Sequence, residues 1–176
     1  GQSCISVQRV YVQENVYDKF LELLKKKVSK LKVGDPLDDK TDVGTMIDME
    51  AVENSLKVIK QAVDDGAKVL VGGKKKGRTL APTIITDATT SMEVCSEEAF
   101  APLTVIIKYK DFKEAVDEVN NSRFGLQAGI FTNRMDDIWY AFEHVDCGGV
   151  VINDVPTYRA DHQPYGGMKD SGIKRE

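Results

Sequence analysis

Of the side chains able to do covalent chemistry, Cys4 occupies the most suggestive place. It lies among small or polar neighbours, Gln2, Ser3 and Ser6, just ahead of an apolar stretch that reads as a strand. A thiol where loop turns into strand can be reached by a small molecule, and its thiolate is a nucleophile. Position alone nevertheless favours a buried core cysteine, because free cysteine is among the most buried residue types. Cys95 and Cys147 read as buried or incidental thiols, the latter at a helix end beside Gly148 and Gly149. No two cysteines have C-x-x-C spacing, and only His144 and His162 are available to join them, so no metal site is expected. His144 reads as a cation at a helix C-terminus or a surface residue. Gly72-Gly73-Lys74-Lys75-Lys76-Gly77 has the glycines of a phosphate loop, but no helix follows it, so it reads as a turn carrying solvated charge.

The elements that must hold these residues follow from periodicity. Residues 7–12 alternate apolar and polar, as a half-buried strand does. From Val16, with Asn15 as cap, Phe20, Leu21, Leu24, Val28 and Leu31 fall at helical spacing, and Lys25, Lys26, Lys27 and Lys30 suit the negative end of the macrodipole. That helix is expected to end before Gly34-Asp35-Pro36. A second starts near Asp48, carries Val52, Leu56, Ile59, Ala62 and Val63 on one face, and stops at Gly66. Lys68–Val71 then reads as a short buried strand. Strands over 82–85, 103–108, 126–131 and Gly149–Ile152 alternate with helices over Phe112–Asn120 and 135–142. Such an order predicts an α/β fold, a mainly parallel sheet with helices on both faces, in one domain spanning 1–176.

Composition narrows the function classes. The chain is 41% hydrophobic and 30% charged, which suits a folded globular domain. Its 24 basic against 28 acidic residues give a net charge of −4, so no nucleic-acid surface is expected. Apolar runs fall far short of the ~20 residues that a membrane span needs, and no signal peptide is visible. Three cysteines, an odd number spread over the length, suit a reducing compartment. The expectation is a soluble, cytoplasmic protein. Both ends are abrupt, as if cut from a larger one.

Four blocks carry a resemblance. Gly-Gln-Ser-Cys, with Arg9 five residues past Cys4, resembles the active-site segment G-Q-x-C of the aldehyde dehydrogenase superfamily. Residues 97–102, Glu-Glu-Ala-Phe-Ala-Pro, resemble its E-E-x-F-G-P element, with Ala101 in the place of Gly. Residues 121–132 resemble its Y-G-L-x-A-x-x-F-T strand, with Phe124 in the Tyr place. Asn153, then Pro164-Tyr165-Gly166-Gly167-Met168-Lys169-Asp170-Ser171-Gly172 and Arg175-Glu176, resemble its N...P-F-G-G-x-K-x-S-G-x-G-R-E ending. The blocks occur in the family's order and span the chain. The closest-looking subgroup acts on lactaldehyde or, without phosphorylation, on glyceraldehyde 3-phosphate.

The resemblance implies roles. Cys4 is the nucleophile, and its backbone N–H is one oxyanion donor. Glu98 binds the nicotinamide ribose hydroxyls and Phe100 sets the position of the ring. Ser3, Ile5, Tyr158 and Arg159 belong to the substrate pocket, where Arg159 could hold an anionic substrate tail bidentately; its competing role is a surface pair with Asp161. Lys169 and Ser171 tie down the loop lining the pocket. The cofactor is NAD or NADP, bound mainly by a domain outside this chain, along with a general-base Glu and an Asn that assists the oxyanion. The parent is expected to be a homodimer or homotetramer that oxidises a short, hydroxylated or anionic aldehyde to its acid. Release to coenzyme A instead of water, or a non-enzymatic thiol redox or binding role, stands as the alternative. Cys4 has no nearby resolving cysteine, which weighs against redox sensing.

Overall fold

The structure is a computed structural model and describes residues 1–175. Glu176, the last residue of the closing block, lies outside the described residues. Backbone contacts group the chain into two units: Gly1–Gln2 with Gln8–Lys108, and Ser3–Val7 with the residues from Tyr109 onward.

In the first unit, β1 (Arg9–Gln13) runs directly into α1 (Glu14–Val28), and α2 (Met49–Asp64) is followed by β2 (Lys68–Val71). A hairpin of β3 (Lys75–Lys76) and β4 (Thr79–Leu80) leads to β5 (Thr83–Thr86), the single turn α3 (Glu93–Ser96) and β6 (Leu103–Tyr109). The sheet order is β1-β6-β5-β2. β5 and β6 pair in parallel from Thr83 opposite Leu103 to Thr86 opposite Ile106, and β2 joins β5 antiparallel. β5 is buried along its whole length. Its successive side chains face opposite ways: Ile84 packs with Val12, Tyr17 and Ile106, and Ile85 with Val52, Ile59, Leu103 and Val105. Helices therefore cover both faces, α1 on one and α2 on the other, as the alternation of elements predicts.

Local chemistry explains where the boundaries move. The Asp48 carboxylate accepts the Ala51 N–H at 2.7 Å and starts α2, and Gly66, at φ +107°, stops it. α1 begins at Glu14, one residue ahead of Asn15, so Asn15 lies in its first turn and is not its cap; no side chain caps it, and Glu14 instead meets the positive helix end. The helix closes at Val28, which leaves Leu31 outside it and exposed. Val63 also faces water, while Val52, Ile59 and Ala62 turn inward. β2 is an edge strand and not a buried one: Lys68 and Val69 are exposed, and Lys68 pairs with Asp87 at 2.9 Å. Part of the lysine run forms the hairpin, bent at Gly77 (φ +56°), with Lys75 paired to Glu53.

The second unit holds α4 (Phe112–Asn120), β7 (Phe124–Gly125), β8 (Gln127–Ile130), α5 (Met135–His144), β9 (Gly149–Ile152) and β10 (Met168–Lys169). β8 and β9 pair in parallel around α5, a βαβ unit. β7 pairs antiparallel with β10. The Asp111 carboxylate caps α4 through the Lys113 and Glu114 amides. Asn120 joins the ends of the two helices: its amide donates to the His144 carbonyl at 2.6 Å and accepts from the Asp146 N–H at 2.8 Å. His144 ends α5, as expected, with its ring stacked on Tyr140. Among the described residues no helix is long and apolar enough to cross a membrane.

Candidate active site

Cys4 lies in a turn, Ser3–Val7, closed by the Ser6 N–H donating to the Ser3 carbonyl at 2.9 Å. Its side chain is exposed, so the buried cysteine favoured by position alone is overturned. The physical reason lies in the preceding glutamine. The Gln2 amide donates to the Thr45 carbonyl at 3.0 Å and accepts from the Ile47 N–H at 2.9 Å, so the chain is pinned ahead of Cys4, and the turn follows before any strand begins. Among the described residues nothing accepts the backbone N–H of Cys4, which leaves that donor open to an oxyanion.

One residue from the far end of the sequence reaches the turn, and a second packs on it. The Tyr165 hydroxyl lies 3.5 Å from Cys4 Sγ, and the Arg159 guanidinium lies over the Tyr165 ring, 4.4 Å from its centroid. Ser3 is exposed and Ile5 half-buried on either side of the cysteine. Tyr158 is 54% exposed, and no side-chain contact draws it to Cys4.

The loop that brings Tyr165 in is firmly tied. Asn153, at φ +58°, donates its N–H to the Ile130 carbonyl at 2.7 Å and accepts from the Thr132 N–H at 3.0 Å. Lys169 donates to the Asn120 carbonyl at 2.8 Å and pairs with Asp146 at 3.1 Å. Ser171 Oγ accepts from the Gly125 N–H at 3.0 Å, and Arg175 donates to the Gly167 carbonyl at 2.8 Å. Gly148 passes so close to the Gly166 carbonyl that a Cβ there would strike it.

Glu98 and Phe100 occupy the first unit, on the loop between α3 and β6. Gln8 holds this loop from both sides of Glu98: its amide nitrogen donates to the Val94 carbonyl at 3.0 Å and the Glu97 carbonyl at 2.6 Å, and its oxygen accepts from the Ala99 N–H at 2.9 Å. Phe100 takes φ +43°, a left-handed conformation costing a non-glycine residue about 1–2 kcal/mol, and its ring is 44% exposed. Ala101 is buried, and a Cβ on Gly1 would strike its carbonyl. The Glu98 carboxylate is exposed and engaged by no described residue. Such an open carboxylate can accept two hydrogen bonds, as the ribose role that the resemblance implies for Glu98 requires.

The remaining thiols are unsuited to attack. Burial pushes the Cys95 thiol up, against a smaller opposing pull from Arg9. Burial likewise raises Cys147, against smaller opposing backbone hydrogen bonds at Gly149 and Ala128, and its thiol donates to the Gly149 carbonyl with Sγ at 3.0 Å. No group of three potential ligands gathers to hold a metal among the described residues. Gln2, Gln8 and Tyr165 are the participants that sequence reasoning missed. Gln8 gave no signal in the sequence, because a polar residue beside Val7 fits the alternation of a half-buried strand.

The Aldehyde dehydrogenase family model matches residues 1–176. The chain is 45% identical over all 176 residues to the 3-sulfolactaldehyde dehydrogenase of Priestia megaterium, of which it covers 37%. It is 42% identical to the lactaldehyde dehydrogenase of Methanocaldococcus jannaschii, covering all of this chain and 38% of that one. The crystal structure of aldehyde dehydrogenase 21 from Physcomitrella patens, in complex with the reaction product succinate, superposes with a TM-score of 0.97 at 48% identity, over 99% of this chain and 36% of that one. Glyceraldehyde-3-phosphate dehydrogenase from Methanocaldococcus jannaschii, complexed with NADP, gives 0.95 at 41%, over 99% and 38%. The chain thus spans well under half the length of these relatives.

Proposed function

The chain belongs to the aldehyde dehydrogenase family, and we propose that it forms the catalytic part of an NAD(P)-dependent enzyme that oxidises a short, anionic or hydroxylated aldehyde to its carboxylic acid. The observation that carries this reading is Cys4 itself, exposed on a closed turn with its own amide hydrogen open. The Cys4 thiolate adds to the aldehyde carbon, forming a C–S bond while the carbonyl electron pair moves to oxygen. That oxyanion develops beside the Cys4 N–H, and losing such a donor typically costs ~10²–10³ in rate. The thiohemiacetal on Cys4 collapses to a thioester by giving up hydride, and a bound NAD(P) would supply the hydride acceptor. Glu98 would hold the ribose and Phe100 the ring of that cofactor. Water then cleaves the C–S bond, releasing the acid and restoring Cys4.

The rest of such an enzyme supplies the larger part of the dinucleotide site and the base that activates water. We take the whole to be a homodimer or homotetramer in the cytoplasm, where three unpaired cysteines are at home.

Arg159 supports the substrate class. It is exposed and stacked on the ring whose hydroxyl reaches Cys4, and relatives of the chain are named for a sulfonated aldehyde or hold a dicarboxylate product. A hydrogen bond to a charged group is worth ~1.5–3 kcal/mol, or about 10- to 150-fold. In the full natural protein, Arg159→Leu is expected to lose that much kcat/KM for sulfolactaldehyde and succinic semialdehyde and little for lactaldehyde. Equal losses on all three would remove Arg159 from the pocket.

A further inference from the structure

We propose that Tyr165 is a further catalytic residue, whose hydroxyl donates a hydrogen bond to the sulfur of Cys4 and holds the thiolate in one orientation for attack. This rests on the reading of Cys4 as nucleophile. The two residues are separated by 161 positions in sequence, yet Oη and Sγ are 3.5 Å apart, an ordinary distance for a hydrogen bond to sulfur. In the reacting form the sulfur has no hydrogen to give, so the phenol must be the donor.

An exposed cysteine on a turn has three staggered rotamers to choose from, and only some aim the sulfur at a substrate. A donor fixed on one side selects among them.

The donor is itself held. Its ring is half-buried, and the Arg159 guanidinium lies against it. The backbone that carries it is fixed downstream by Lys169 and Ser171 and by the close passage of Gly166 over Gly148. A cation over the ring draws electron density from the phenol and strengthens it as a donor. The family ending that this block resembles carries Phe in the Tyr165 place, so the hydroxyl is an addition to that pattern and not part of it. Packing alone would be served by Phe.

The test uses the full natural protein without aldehyde or cofactor. Wild type, Tyr165→Phe and Cys4→Ala are exposed to limiting iodoacetamide at neutral pH, and carbamidomethylation of the Cys4 peptide is followed by mass spectrometry. Single-turnover reduction of the cofactor is then measured on the same proteins. Without the phenol donor the sulfur spreads over its three staggered rotamers, so about a third of it or less stays aimed for attack. Tyr165→Phe is therefore expected to label about three- to tenfold more slowly, to slow the single turnover by a similar factor with little change in aldehyde KM, and to melt at nearly the wild-type temperature. Labelling and turnover at wild-type rates in Tyr165→Phe would overturn the proposal while leaving Cys4 as nucleophile, provided Cys4→Ala is inactive. Turnover by Cys4→Ala would overturn both, and the two failures are told apart by that one variant.

Discussion

Cys4 meets solvent, whereas Cys95 is only 4% exposed and Cys147 gives its hydrogen to a backbone carbonyl. The same element thus serves opposite ends, and the difference has a measurable pH signature. Burial raises both inner thiols, so the native state keeps their protons to higher pH than the unfolded chain does. The unfolded thiols ionise near ~8.5; above that the unfolded state binds fewer protons than the native one, and stability falls as pH rises. The stabilisation is complete below the unfolded value and is lost as pH climbs through the native one. Cys95→Ala is expected to flatten the alkaline decline of the urea midpoint between about pH 8.5 and 10, where Tyr17 and Tyr109, also raised by burial, have yet to dominate. An unchanged slope would mean that Cys95 is not protected from ionising. None of this was legible in the spacing of the cysteines, because burial is decided by what packs around each thiol: Cys95 joins the core with Val94 and Leu103, whereas Cys4 sits on an open turn.

The helices and strands were more legible than the loops between them. α2 and α4 announce themselves by apolar periodicity and by Asp48 and Asp111 at their starts, and the structure uses both carboxylates as caps. β2 was misjudged as buried because a four-residue apolar run looks alike at the edge and the centre of a sheet, and pairing decides which it is. The loop from α3 to β6 has no periodicity at all, and its conformation is imposed by a side chain about ninety residues away in sequence, Gln8. Gln8→Ala strips partners from the Ala99 N–H and from the Val94 and Glu97 carbonyls, a local loss of about 1–3 kcal/mol where such groups stay shielded from water. Amide exchange of residues 94–100 is expected to quicken about tenfold, and NAD(P) binding by calorimetry to weaken, while exchange in β5 and α2 stays as in wild type. Unchanged exchange at Ala99 would show that the clamp does not set this loop.

At the scale of the whole chain, recognition came from four short blocks and not from composition or periodicity, which reached no further than a folded α/β protein. The blocks are far apart in sequence, and what joins Cys4 to the Tyr165 loop is visible only in three dimensions. The fold thereby explains why a glycine-rich ending and an N-terminal cysteine belong to one device: Gly148 and Gly166 let two backbones pass in contact, and the loop held there brings a phenol to the sulfur. The most direct measurement is to quench the full natural protein with acid during turnover of a short aldehyde with NAD(P), and to weigh its cysteine peptides. The account predicts an acyl thioester on the peptide containing Cys4, its loss on treatment with hydroxylamine, and neither adduct nor turnover in Cys4→Ala. An acyl group on Cys95 or Cys147, or steady oxidation by Cys4→Ala, would contradict it.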